Sequence, residues 1–178
     1  SQSMLDLYSI FKTQGTLEGL NIALLGDLKY GRTVHSLVYA LAAFKPHFYF
    51  ISPEILSMPD YILDDLKRLD IQYDIRDRFE PVVDTLDIMY VTRIQKERFA
   101  DPQEYEKVKN TYILRAAHLQ KVQENFKVLH PLPRVNEIHT DVDTLPAAYY
   151  FQQARNGVFM RQAIISQLLQ NQTADRGN

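Results

Sequence analysis

The 178-residue chain contains no cysteine. That excludes disulfides and thiolate metal sites and is compatible with a reducing, cytoplasmic setting. Net charge is close to zero, at −2, so bulk electrostatics give no reason to expect nucleic acid as a partner. No apolar run is long enough to span a membrane. The opening residues, SQSMLDLYSIFKTQG, lack the basic region of a signal peptide. There is no internal repeat and no low-complexity tract. Several chemical signatures are missing as well. The glycines of GDLKYG, Gly26 and Gly31, do not form G-x-G-x-x-G, so a nicotinamide cofactor is not expected. No G-K-[ST] follows them, so the loop is not a P-loop. No nucleophile elbow and no Ser-His-Asp arrangement can be picked out. His47, His118 and His139 have no metal-ligand spacing. His35 and His130 read as structural before catalytic, and the tyrosines of AAYYFQQ as helix packing.

What is present is an alternation of short apolar runs with helical patterns. Residues 1–14 carry Leu5, Tyr8 and Phe11 at helical spacing, as if the chain opened inside an amphipathic helix; a fragment of a longer chain is therefore expected. NIALL, HFYFISP, IQYDIR (the weakest), DIMYVTR and KVLHPLP read as five strands. Helices are predicted over 32–44, over DYILDDLKRL with Asp60 as cap after Pro59, over the short PVVDTL, over DPQEYEKVKN, and over 147–170 with Gly157 inside. YILRAAHLQKVQEN is mixed. The whole chain reads as one domain: a three-layer, Rossmann-like, doubly wound parallel α/β sheet of about five strands with helices on both faces. Ligands in such sheets bind beyond the carboxyl ends of the strands, at the switch point.

Three strand ends are chemically loaded: GDLKYGRT, VTRIQKER and HPLPRVNE. With a strand order like 3-2-1-4-5, Arg32, Arg93 and the Pro131–Pro133 turn converge on one crevice. Two guanidiniums there suit a ligand with two carboxylates, or a carboxylate and a phosphate. The alternative is that both arginines are solvated surface residues. Arg32 is the odder of the two, because a helix start disfavours a cation unless an anion lies between it and the helix N–H groups.

GDLKYGRTVHSL, TRIQKERF, HPLPRVNEI and YYFQQARNGVFMRQA, in this order and spacing, closely resemble the second, aspartate-binding half of aspartate carbamoyltransferase catalytic chains. The ornithine enzymes have a cysteine in an H-C-L-P turn and an S-M-G signature. Here the turn is His130-Pro131-Leu132-Pro133 and neither feature occurs. The resemblance implies carbamoyl transfer from carbamoyl phosphate to the amine of L-aspartate, without a covalent enzyme intermediate and without a cofactor or metal. It implies that Arg32 and Arg93 each bind an aspartate carboxylate, with Thr33 and Gln95 beside the substrate and Glu97 paired to Arg93. The backbone around Leu132 and Pro133, joined by a cis bond, would touch the carbamoyl group. Glu104 and Tyr105 match a loop that closes over the site. Gln2 matches the last residue of the family's H-P-[ST]-Q and would contact carbamoyl phosphate. No residue of this chain is expected to take part in bond making. The S-x-R-T phosphate loop of the family does not occur, so an N-terminal carbamoyl-phosphate domain is expected to be missing, with helices 1–14 and 147–170 packing toward it. The resemblance further implies a homotrimer of full chains and admits regulatory chains. Two other readings stay open here: an ornithine-type carbamoyltransferase, and a free-standing dicarboxylate-binding module.

Overall fold

The computed structural model describes residues 1–175. The chain runs α1 (Gln2–Gln14), β1 (Asn21–Leu25), α2 (Arg32–Ala42), β2 (His47–Ile51), α3 (Asp60–Arg68), β3 (Tyr73–Arg76), β4 (Ile88–Val91), α4 (Pro102–Val108), β5 (Lys127–Leu129) and α5 (Tyr150–Asp175), with 3-10 turns between several of them. The five strands form one parallel sheet in the order β3-β2-β1-β4-β5. From β1 the chain winds outward through β2 and β3, then crosses back to β4. The winding direction therefore reverses between β1 and β4, and the crevice of a doubly wound sheet opens at their carboxyl ends.

Burial explains why the central strands are apolar throughout. Ile22 and Leu24 of β1 face one layer, with Val34, Leu37 and Leu41 of α2 and Ile62 and Leu66 of α3. Ala23 and Leu25 face the other, with Phe79, Val83, Leu86, Phe126 and Ile138. Strands covered on both faces lose the polar alternation of half-exposed ones. Each of the valine, leucine, isoleucine and phenylalanine side chains among them contributes about 1.5–3 kcal/mol by burial. The second layer is built chiefly of 3-10 turns and connecting segments. β3 lies at the sheet edge with Ile75 exposed, which accounts for its weak apolar signal.

The structure corrects some boundaries. PVVDTL is not an α-helix but a 3-10 turn over Val83–Thr85; six residues led by Pro81 and two valines cannot offset helix nucleation, and the valines pack on the sheet instead. Pro59, not Asp60, holds the cap position of α3, and no side chain bonds there. Asp101 does cap α4, accepting from the Gln103 amide at 2.8 Å ahead of Pro102. Ala147 and Ala148, expected inside the last helix, run beside β5: the Val128 amide donates to Ala147 O and the Tyr149 amide to Val128 O. Helix α5 starts only at Tyr150.

α1 and α5 pack on one another. Gly157 lets them approach, since a Cβ there would lie 3.2 Å from the Leu5 side chain. Polar bonds cross the contact from Asn156 to Ser9 at 3.0 Å and from Gln153 to Asp6 at 2.7 Å. Met4 and Phe11 of α1 and Val158, Phe159, Ile165 and Leu168 of α5 remain exposed.

Candidate functional site

The floor of the crevice forms where β1 and β4 end together. Gly26 has φ +119°, and a Cβ on it would lie 2.3 Å from the Thr92 carbonyl oxygen. Only glycine adopts this backbone and permits this approach. Thr92 closes the contact: its Oγ1 accepts from the Asp27 amide at 2.9 Å and donates to Leu25 O at 3.2 Å. The Asp27 side chain then turns the loop by accepting from the Tyr30 amide at 2.9 Å. Burial pushes the Asp27 carboxyl above its ordinary pKa, against the Tyr30 bond and the charge of Arg98.

The turn delivers Arg32 to the first position of α2. Gly31 precedes it, and no side chain caps the helix. Arg32 is exposed and makes no ion pair among the described residues. Thr33 follows, half-buried. His35, one turn on, is engaged with the fold: its Nε2 lies 2.7 Å from Leu28 O.

After β4 the backbone presents Arg93, Gln95 and Arg98. Arg93 is partly buried, and its guanidinium lies 3.6 Å from the exposed Glu97 carboxylate. Arg98 Nε donates to Gln95 Oε1 at 2.9 Å.

The third wall is the turn after β5. His130 is buried at its base. Its Nδ1 accepts from the Leu132 amide and its Nε2 bonds Glu137 Oε1, both at 2.8 Å. That pattern fixes the proton on Nε2. Glu137 also accepts from the Val135 and Asn136 amides at 3.1 Å. Burial opposes its ionisation, but these bonds prevail and its pKa is lowered. Leu132 has φ +48°, and the Leu132–Pro133 bond is cis, as the resemblance implied. Beyond the turn, Arg134 is clamped to both Asp143 oxygens at 2.5 Å. From below, Gln2 Nε2 and Gln153 Nε2 both donate to Asp6 Oδ1, at 2.8 and 2.7 Å.

These walls enclose one cleft of about 360 Å³. Arg32, Thr33, Arg93, Gln95, Leu132, Pro133 and Gln2 all line it. Arginines 32, 93 and 98 face only Asp27 among the acids of its lining, so the cleft attracts anions. Glu97 and Tyr105 line an adjoining space of about 200 Å³ that shares Thr92, Arg93 and Gln95 with the cleft. Tyr105 packs edge-on against Phe99. Glu104 is exposed on α4 and borders neither space. Sequence reasoning missed Asp27 and Arg98 of the cleft lining. Arg98 had a signal, standing three residues after Gln95 in the same motif.

A family model, aspartate/ornithine carbamoyltransferase, Asp/Orn binding domain, matches residues 18–168. The chain belongs to this family. Among carbamoyltransferase relatives, it is 54% identical to aspartate carbamoyltransferase catalytic subunit 2 of Shewanella halifaxensis over 98% of its own length and 56% of that subunit. It is 57% identical to the catalytic subunit of Aliivibrio fischeri over 95% of its length and 55% of that subunit. The catalytic subunit of M. jannaschii aspartate transcarbamoylase superposes with a TM-score of 0.90 at 48% identity, over 96% of this chain and 56% of that one. A Trypanosoma cruzi aspartate transcarbamoylase, solved with carbamoyl phosphate and aspartate, gives 0.86 at 36% identity over 92% and 55%. The chain thus spans about half the length of the carbamoyltransferases it matches.

Proposed function

We propose that this chain is the aspartate-binding half of an aspartate carbamoyltransferase, acting in de novo pyrimidine synthesis. The observation that carries the reading is the convergence of Arg32, Arg93, the Leu132–Pro133 turn and Gln2 on one cleft. Each arginine takes one carboxylate of L-aspartate through charge-assisted bonds. Thr33 and Gln95 border the bound amino acid. The neutral amine then attacks the carbonyl carbon of carbamoyl phosphate. The C–N bond forms, a tetrahedral intermediate collapses, the C–O bond to phosphate breaks, and the amine sheds a proton. This chain contributes positioning and a field that favours developing negative charge.

The remaining groups for carbamoyl phosphate come from an N-terminal domain. The exposed apolar side chains of α1 and α5 offer that domain a surface. A homotrimer of full chains in the cytoplasm accompanies the reading, on the strength of the family resemblance. Ornithine is disfavoured as acceptor, because its side-chain ammonium would enter a cleft holding three guanidiniums. Assaying the full-length polypeptide that carries this chain, with carbamoyl phosphate and either amino acid, tests the proposal. Turnover of aspartate is expected. A preference for ornithine, or binding of dicarboxylates without transfer, refutes it.

A further inference from the structure

A carboxylate buried between α1 and α5 has no part in the reading so far. Asp6 is wholly inaccessible to solvent. It makes no ion pair with a side chain among the described residues; its hydrogen-bond partners are three neutral donors. Oδ2 accepts from Tyr90 Oη at 3.0 Å, and Oδ1 accepts from both Gln2 Nε2 and Gln153 Nε2. An ionised carboxylate only accepts hydrogen bonds, whereas an amide has a donating and an accepting end. Each glutamine must therefore turn its nitrogen to Asp6 and its oxygen away.

For Gln153 the use of that oxygen is visible. Its Oε1 accepts from the His130 amide at 2.8 Å, at the base of the turn bearing Leu132 and Pro133. Gln2 lines the cleft, and its carbonyl is the end left to serve a ligand there. A carbamoyl group carries an N–H₂ donor. An acceptor at Gln2 matches it; a donor would repel it.

We propose that Asp6 is a positioning residue for the carbamoyl end of the substrate. Its Oδ1 sets the Gln2 amide as an acceptor toward the cleft and, through Gln153, holds the base of the turn that bears Leu132 and Pro133. The inference rests on the carbamoyl-transfer reading and extends it to a residue that touches no substrate. It also names what Asp6 selects: an N–H₂ donor beside the phosphate, as against a phosphate alone.

The test compares two ligands in the full-length polypeptide: phosphonoacetamide, which carries the amide, and methylphosphonate, which lacks it. Each is measured as a competitor of carbamoyl phosphate. Asp6→Ala is expected to lower the preference for the amide ligand at least tenfold while methylphosphonate binding stays within threefold. Asp6→Asn is expected to keep the preference within threefold, because one oxygen already takes both glutamines and the new N–H₂ can donate to Tyr90 Oη. Should Asp6→Ala not fold, Asp6→Ser, whose hydroxyl admits a water, carries the same comparison. Parallel weakening of both ligands, an unchanged preference in Asp6→Ala, or equal loss in the alanine and asparagine variants overturns the proposal. Those outcomes arise in an active enzyme. A wild-type protein that transfers no carbamoyl group to aspartate instead removes the functional reading beneath it.

Discussion

Replacing Asp6 with asparagine should make the fold more stable, and more so as pH rises. Burial is the largest influence on this carboxyl, and it outweighs the bonds from Gln153, Tyr90 and Gln2; its pKa is pushed up from an ordinary 3.8 to about 6. The folded state therefore holds the proton more tightly than the unfolded chain. Below the unfolded value both states are protonated and nothing is lost. As pH rises from about 4 to about 6, the unfolded chain ionises first and the fold loses stability; above 6 the loss is constant. A shift of roughly two units corresponds to about 3 kcal/mol. Asparagine keeps the shape and the Oδ1 acceptor without the charge, so it should recover most of that amount at neutral pH. Urea unfolding of the full-length polypeptide, followed by far-ultraviolet circular dichroism from pH 4.5 to 8, measures the difference. It should grow across the window and then level off. A pH-independent difference, or a less stable variant at pH 7, would show that the buried charge is compensated by something other than these three donors.

Other expectations concern the cleft. Arg93→Ala should lower kcat/KM for aspartate by about 2–4 kcal/mol of transition-state binding, roughly thirty- to a thousandfold, without changing the unfolding midpoint. Glu97→Gln should change the same constant by less than about fivefold, since an exposed pair is worth about 0.2–1 kcal/mol and its atoms stand 3.6 Å apart; a hundredfold loss would show that Glu97 does more than orient Arg93. Gly26→Ala should destabilise by about 2 kcal/mol or more, because a positive φ and a 2.3 Å clash with Thr92 O coincide there; thermal unfolding reads this, and an unchanged midpoint would refute it. Arg32→Gln should abolish efficient aspartate use yet slightly raise the melting temperature of the ligand-free protein, by removing a cation from a helix start where it costs about 0.3–1 kcal/mol.

The sheet was legible because its central strands are buried on both faces, which leaves short apolar runs closed by Gly-Asp, Ser-Pro and His-Pro. The order of β1, β4 and β5 then made the loaded strand ends neighbours, so most of the cleft could be read from three motifs. What stayed hidden depends on contacts between distant residues. Asp6 and Gln153 are 147 positions apart, and neither periodicity nor spacing links them. The 3-10 turns of the second layer were also obscure. They are held by packing on the sheet rather than by helical propensity, so PVVDTL carries a helix-like start with no helix behind it. Arg134 stood in a quoted motif, but its role depends on Asp143 and Tyr150, which the fold alone brings within reach.

Gly26, Arg32 and His130 share one logic. Each is poor local chemistry taken alone: a glycine at a strand end, a cation at a helix N-terminus, a histidine with no solvent. Gly26 lets the ends of β1 and β4 meet at Thr92. His130 spends both ring nitrogens on holding its own turn, which leaves the backbone around Leu132 facing the cleft. Arg32 makes no ion pair among the described residues, so its charge is available to a ligand. A carboxylate between Arg32 and the uncapped N–H groups of α2 would be held by both, and the repulsion between cation and helix end would become two attractions on the same anion. The local cost is thus recovered only when the site is filled, which ties the stability of this loop to the presence of a bound carboxylate.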